Sequence, residues 1–333
     1  TVTGTGSGSF ARMDGGAVGA DSVTGVNTSS VRDSLDARAV SADVQVNLNE
    51  VSASTSLAAN QLVVSGIEIL DLNATANNTL YGPTLANNQA ISWQISQAKQ
   101  GSFAPKLGAH GENTVTFSGV SNLIAGAGED RFALATAEGL GGDLDGGEGT
   151  DYLDYSQANL AASQTSFDVV IGESTRLRNI DGVIGKNTSS MRLVVKSNGS
   201  QWLLDDMDAD GTTSDGVNDG RVTLANGQSV VFIDFAALVG TQGADKFDLK
   251  GGFNGSITTG EGADSLVVGV NPNRAQAIKL INDVSDSLSL SWQGAAPAGV
   301  KETYKQVASG RESITLESLT PALSVLPFSI EFN

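Results

Sequence analysis

Seven short stretches place an aspartate or asparagine behind a run of small residues. GGEGTDYLD (146–154) fits G-G-x-G-x-D-x-L-x at every specified position. AGAGEDRFA (125–133), GTQGADKFD (240–248), TGEGADSLV (259–267) and GAVGADSVT (16–24) are near matches. GAHGENTVT (108–116) carries Asn113 at the key position, and NATANNTLY (73–81) carries Asn78. Glycine tolerates backbone angles closed to other residues, so Gly128, Gly147, Gly149, Gly243, Gly260 and Gly262 let the chain turn sharply and present carbonyl oxygens. Asp21, Asp130, Asp151, Asp245 and Asp264 add carboxylates, and Asn113 an amide oxygen. Hard oxygens in that arrangement suit Ca²⁺, which takes about six to eight of them at flexible geometry.

One turn supplies too few ligands, so turns must stack. The motifs starting at 108, 125 and 146 are separated by 17 and 21 residues, and those at 240 and 259 by 19. Stacked carboxylates repel one another strongly at a packed edge, which is the physical reason to expect a cation there. The apolar residue two places after each aspartate (Phe132, Leu153, Phe247, Leu266) begins a strand and points inward. Gly-Asp turns also close without metal, because these residues satisfy turn geometry unaided.

The nonapeptide resembles the calcium-binding repeat of RTX proteins, and the chain is similar to part of a large secreted bacterial repeat protein of that kind, a class that includes adhesins and surface-layer proteins. The resemblance implies a coil built from two nonapeptides, with the residues between successive motifs forming its far side, Ca²⁺ as the bound ion, export by a dedicated secretion system and a place at the bacterial cell surface. A second acidic loop reads D-x-D-x-D-G: Asp206, Asp208, Asp210 and Gly211, followed by Asp215, Asn218 and Asp219. It lacks the Glu at position twelve of an EF-hand, where Val217 stands, and is expected to be a free-standing calcium loop.

The elements that would carry these turns are short strands. Residues 114–117, 167–172, 192–196, 221–232 and 313–319 are β-rich, and Asn198-Gly199 and Asn226-Gly227 read as hairpin turns. An antiparallel excursion is expected over 191–233, carrying the acidic loop. Residues 56–63 and 275–283 have weak helical periodicity. A longer repeat contains the turns: 117–155 aligns with 232–269, pairing Phe117 with Phe232, Asp130 with Asp245, and Asp151 with Asp264 at offsets of 115 to 113. Trp93, Trp202 and Trp292 recur once per unit and are expected to fill a core position. The expected fold is all-β: an elongated parallel β-solenoid with Gly/Asp turns and inserted antiparallel hairpins. The units divide as 1–90, 91–190, 191–290 and 291–333, the last beginning a further unit.

Composition narrows the function. The chain has 333 residues, 19 basic and 37 acidic, for a net charge of −18. That excess repels phosphates and argues against nucleic acid, and no apolar run reaches the ~18 residues of a membrane span. Zero Cys excludes disulfides and thiolate zinc sites. The single His110 makes a Ser-His-Asp triad improbable. Both ends read as cut from a longer protein. The reading these features favour is a non-enzymatic structural segment of a giant secreted surface protein, stiffened by extracellular calcium. Its expected partners are neighbouring repeat units, copies of the same protein, and cell-surface polysaccharide. The competing reading is a polysaccharide-active β-helix enzyme, a lyase or epimerase, or its calcium-binding accessory module.

Overall fold

The computed structural model describes residues 2–3, 13–14, 34–48, 61–65, 68–83, 90–105, 114–136, 139–159, 165–172, 176–186, 188, 190–204, 218–250, 253–270, 276–281, 286–292, 300–307, 311–318 and 328–332. Among the described residues every regular element is a strand, and there is no helix. The chain forms two compact units. The first comprises Thr1–Asn159 with Arg176–Ile180, and the second Leu160–Thr175 with Asp181–Asn333.

The first strands are β1 (Val2–Thr3), β2 (Met13–Asp14), β3 (Ser34–Ala37), β4 (Gln45–Asn47), β5 (Gln61–Ser65), β6 (Ile69–Leu72) and β7 (Asn78–Tyr81). Then come β8 (Ile91–Gln97), β9 (Gln100–Pro105), β10 (Val115–Ser118), β11 (Val120–Ile124), β12 (Asp130–Leu134), β13 (Leu144–Asp145) and β14 (Tyr152–Asp154). After β15 (Phe167–Gly172) and β16 (Leu177–Arg178) follow β17 (Gly182–Ile184), β18 (Met191–Lys196), β19 (Ser200–Leu204), β20 (Gly220–Leu224), β21 (Ser229–Ile233) and β22 (Ala237–Val239). The series ends with β23 (Lys246–Leu249), β24 (Gly255–Thr258), β25 (Ser265–Val270), β26 (Gln276–Ile281), β27 (Ser287–Trp292), β28 (Val300–Val307), β29 (Arg311–Ser318) and β30 (Phe328–Phe332).

Within the first unit one sheet runs β1-β3-β6-β10-β9-β8-β12-β14 and the other β16-β13-β11-β7-β4-β5-β2. Within the second unit the orders are β17-β21-β20-β19-β23-β25-β27 and β15-β18-β22-β24-β26-β30-β29-β28. From β11 to β14 and from β22 to β27 successive strands alternate between the two sheets of their unit and return in parallel register. Phe132 thus lies beside Leu153 and Leu123 beside Leu144, each pair 21 residues apart. In the second unit Phe247 lies beside Leu266 and Leu238 beside Ile257, each 19 apart. That is the placement the motif spacing predicts, with β13 and β24 as the far-side strands.

Period-two alternation fixes which face is buried. In β15, Phe167, Val169 and Ile171 are buried while Asp168 is exposed. Trp93 and Trp202 sit at equivalent core positions, 0 % and 1 % exposed. Trp93 stacks on Phe132 at 5.9 Å and Trp202 on Phe247 at 5.3 Å, nearly parallel in both pairs.

Three local expectations need correction. Residues 205–217 lie outside the described residues, and the described strands of the expected excursion, 200–204, 220–224 and 229–233, stay in the sheet. Strands β19, β20 and β21 form an antiparallel meander inside it, with parallel strands on both flanks. An equivalent meander, β8-β9-β10, sits at the same place in the first unit and was not foreseen. Asn226-Gly227 does turn a hairpin, with Gly227 at φ +87°. Asn198-Gly199 instead carries the chain from β18 in one sheet to β19 in the other. Finally, 276–281 is a strand, because Ile278 and Leu280 are buried while Ala277, Lys279 and Ile281 are exposed, a period of two. Part of 56–63 lies outside the described residues, and Gln61 onward is strand β5.

Candidate functional site

The Gly/Asp turns connect the far sheet to the start of β12, β14, β23 and β25. Their glycines answer two demands at once. Gly147, Gly149, Gly260 and Gly262 have φ of +90°, +131°, +107° and +116°. They also abut the backbone of the adjacent turn. A Cβ on Gly149 would strike the Gly128 carbonyl, and one on Gly260 the Thr241 carbonyl. The turns stack by direct backbone bonds: Gly128 N–H donates to Glu148 O at 2.8 Å, Glu148 N–H to Gly126 O at 3.2 Å, and Glu261 N–H to Thr241 O at 3.1 Å.

The aspartates expected to line one packed edge are buried. Asp130 and Asp151 are 0 % exposed, Asp245 3 % and Asp264 2 %. Each one caps the strand before it in the stack. Asp151 Oδ1 accepts from the Asp130 N–H at 2.8 Å, and Asp264 Oδ1 from the Asp245 N–H at 2.7 Å. Asp130 Oδ1 accepts from the Ile91 N–H at 3.1 Å, and Asp245 Oδ1 from the Ser200 hydroxyl at 2.6 Å, so both cap the first residue of a meander. Asp245 Oδ2 also accepts from the Thr241 N–H. The result is a ladder of carboxylates, repeated in the two units at the positions the internal repeat equates.

The ladder extends to one residue that the motif did not reveal. Asp286 Oδ1 accepts from the Asp264 N–H at 3.1 Å, and its Oδ2 from the Thr259 hydroxyl at 2.8 Å. Its D-S-L-S-L context matches the strand half of the motif, but no glycines precede it, so a Gly-based template passes over it. Asn78 performs the same task without charge: it is 0 % exposed, and its Oδ1 accepts from the Val44 N–H at 2.9 Å. Asn218 and Asn254, likewise unforeseen in this role, cap the opposite way, accepting from the N–H groups of Asn254 and Ala277 in the following strand.

Burial makes the charged form of these carboxyls expensive. Desolvation pushes Asp130 up to about 6, only partly offset by the Ile91 N–H and the Trp93 indole. Asp245 is raised by the same cause against the opposing bonds from Ser200 and Thr241. By contrast Asp154, 6 % exposed, is held below the ordinary carboxylate value: its bonds to Ser156 and Arg131, the latter an ion pair of 2.7 Å, outweigh desolvation.

The fit to Ca²⁺ is partial. Adjacent motifs do place the aspartates side by side, Asp151 bonded to the Asp130 N–H and Asp264 to the Asp245 N–H. Asp130 Oδ2 is buried without a hydrogen bond of ordinary length. However, the carbonyls of Gly126, Glu148 and Thr241 are already engaged by the neighbouring turn. Among the described residues no three acidic or histidine side chains converge. Asp21, Asn113, His110, Asp206, Asp208, Asp210 and Asp215 lie outside the described residues. Asn218 and Asp219 are buried, and Asp219 Oδ1 accepts from the Asp234 N–H at 2.7 Å.

No protein-family model, curated protein or solved structure matches the chain. The fold and the ladder therefore define the class by themselves: an all-β protein of repeated, largely parallel sheets whose turns are locked by buried aspartates.

Proposed function

We propose that the chain is a non-enzymatic structural segment of a secreted bacterial surface protein, folded as a β-solenoid whose stacked turns gain stability from extracellular Ca²⁺. One observation carries the reading. The aspartate ladder recurs at equivalent positions in both units, although Asn78 accepts the same kind of capping bond through an uncharged amide. Carboxylates where an amide suffices, in a setting that raises the pKa of Asp130 and Asp245, point to a use for the charge. A cation that reaches Asp130, Asp151, Asp245 and Asp264 would offset their desolvation. An ion bound only by the folded chain adds its binding free energy to stability. In cytosol poor in calcium the acidic chain stays looser and exportable, and outside the cell it stiffens. Neighbouring repeat units and other copies of the chain are its partners in this reading, with cell-surface polysaccharide as a further one.

Thermal melting followed by circular dichroism, in millimolar Ca²⁺ against EGTA, tests it. The expected result is a higher melting temperature in Ca²⁺, with the increment reduced in Asp151→Ala and Asp264→Ala. An identical melting temperature in chelator would remove calcium from the account while leaving the ladder standing.

A further inference from the structure

The outer face of one sheet in the second unit differs from the rest of this acidic chain. Parallel register aligns Val170 with Val194, Val194 with Val239, Val239 with Thr258, and Thr258 with Ile281. These five residues occupy the outward positions of β15, β18, β22, β24 and β26. None of them is buried, and Ile281 is 39 % exposed. Four aliphatic side chains and a threonine thus form one continuous column across five strands. The equivalent outward column of the first unit's second sheet reads Asn47, Tyr81, Ile124, Asp145 and Arg178, and is mixed and polar.

Charge singles out the same face. The whole chain carries 19 basic and 37 acidic residues. Strands β15, β18, β22, β24, β26 and β30 carry Arg192, Lys196 and Lys279 against Asp168 and Glu331. Arg192 and Asp168 are paired with each other at 2.7 Å. Beside the column runs a groove of about 740 Å³, lined among others by Val194, Thr258, Lys196, Asn198, Gln242 and Glu261.

We infer that this face is a docking surface for a second copy of the chain. Two copies repel across most of their surface, but here the net charge is close to zero. A ladder of β-branched side chains at the strand spacing of about 4.8 Å is matched in period by another copy of itself. A two-fold arrangement sets Val239 against Val239, Val194 against Thr258, and Val170 against Ile281. Five strands span about 19 Å, so the column and its flanks cover roughly 300 Å² per copy, against about 800 Å² per partner in a standard interface. The contact is therefore weak for one chain, and it strengthens by multivalency where several units lie in tandem. This deepens the proposed association between copies and rests on that reading, but not on calcium.

Sedimentation of the intact chain up to about 1 mM, a range suited to a weak interface, tests the inference together with oxidative cross-linking, which is clean because the protein has no cysteine. The expected result is a concentration-dependent dimer that tightens as salt screens the global repulsion. Val194→Lys should abolish it. Val267→Lys, placed outward on the unit's other sheet, should leave it intact. Val239→Cys should cross-link at least several-fold faster than Val267→Cys. A chain monomeric at every concentration, equal loss in both lysine variants, equal cross-linking rates, or a groove that takes an oligosaccharide while the chain stays monomeric would each overturn the proposal. The calcium dependence of melting, read on the same samples, reports on the turns alone and so separates the two ideas.

Discussion

Replacing Asp130 by asparagine isolates what its charge does. The amide keeps an oxygen where Oδ1 accepts the Ile91 N–H, as Asn78 does for Val44. The folded chain holds the Asp130 carboxyl at about 6 rather than at its ordinary 3.8. At roughly 1.4 kcal/mol per pH unit that gap corresponds to about 3 kcal/mol, and partial screening by solvent lowers the expectation to about 1–3 kcal/mol. Because the pKa is raised, the penalty is fully present above pH 6. It is relieved as pH falls from about 6 towards 3.8, the folded state taking up the proton first. In EGTA at pH 7.5, Asp130→Asn should therefore melt higher than wild type by about 2–12 °C, using 2–4 °C per kcal/mol for a unit of this size. By pH 4 the difference should vanish. In Ca²⁺ the order should narrow or invert, since the variant has lost a ligand charge. Scanning calorimetry over that pH range is the assay. A variant less stable than wild type in EGTA at pH 7.5, or a difference that does not change with pH, would refute the reasoning.

Other substitutions probe the remaining parts. Gly149→Ala sets a Cβ against the Gly128 carbonyl at φ +131° and should lower the melting temperature by several degrees, whereas Gly227→Ala at φ +87° meets no atom within 4 Å and should cost only about 1 kcal/mol of backbone strain. Phe247→Ala removes the ring stacked on Trp202 and should cost about 3–5 kcal/mol, with a red shift of tryptophan emission reporting the exposed indole. Asp286→Ala removes the acceptor of the Asp264 N–H and leaves the Thr259 hydroxyl only the Ile281 carbonyl, which should cost about 1–3 kcal/mol by chemical denaturation, while Asp286→Asn should recover most of it.

Much of this was legible in the residues. The spacing of 21 and 19 between motifs becomes the register of Phe132 on Leu153 and Phe247 on Leu266, because a stacked turn returns the chain to the same sheet at a fixed period. The alternation in 167–172 yields β15 with the boundaries expected. What escaped was tertiary. Whether a strand hydrogen-bonds to its sequence neighbour or to one that arrives later depends on which sheet edge is open. This is why Asn198-Gly199 is a corner rather than a hairpin, and why the meander of β8, β9 and β10 was missed. The aspartates were expected to face a shared cation along one packed edge. Here the uncapped N–H at the start of each preceding strand draws them inward, a demand that sequence spacing alone does not express.

An aspartate in one turn bonds the backbone of the turn before it. Amide hydrogen exchange at Asp130 and Asp245, in wild type and in Asp151→Ala and Asp264→Ala, reads those two bonds directly. Strong protection in wild type is expected, lost selectively at Asp130 in the first variant and at Asp245 in the second, 21 and 19 residues upstream of the change. Fast exchange of both amides in wild type, or loss of protection confined to the immediate sequence neighbours of each substitution, would contradict it.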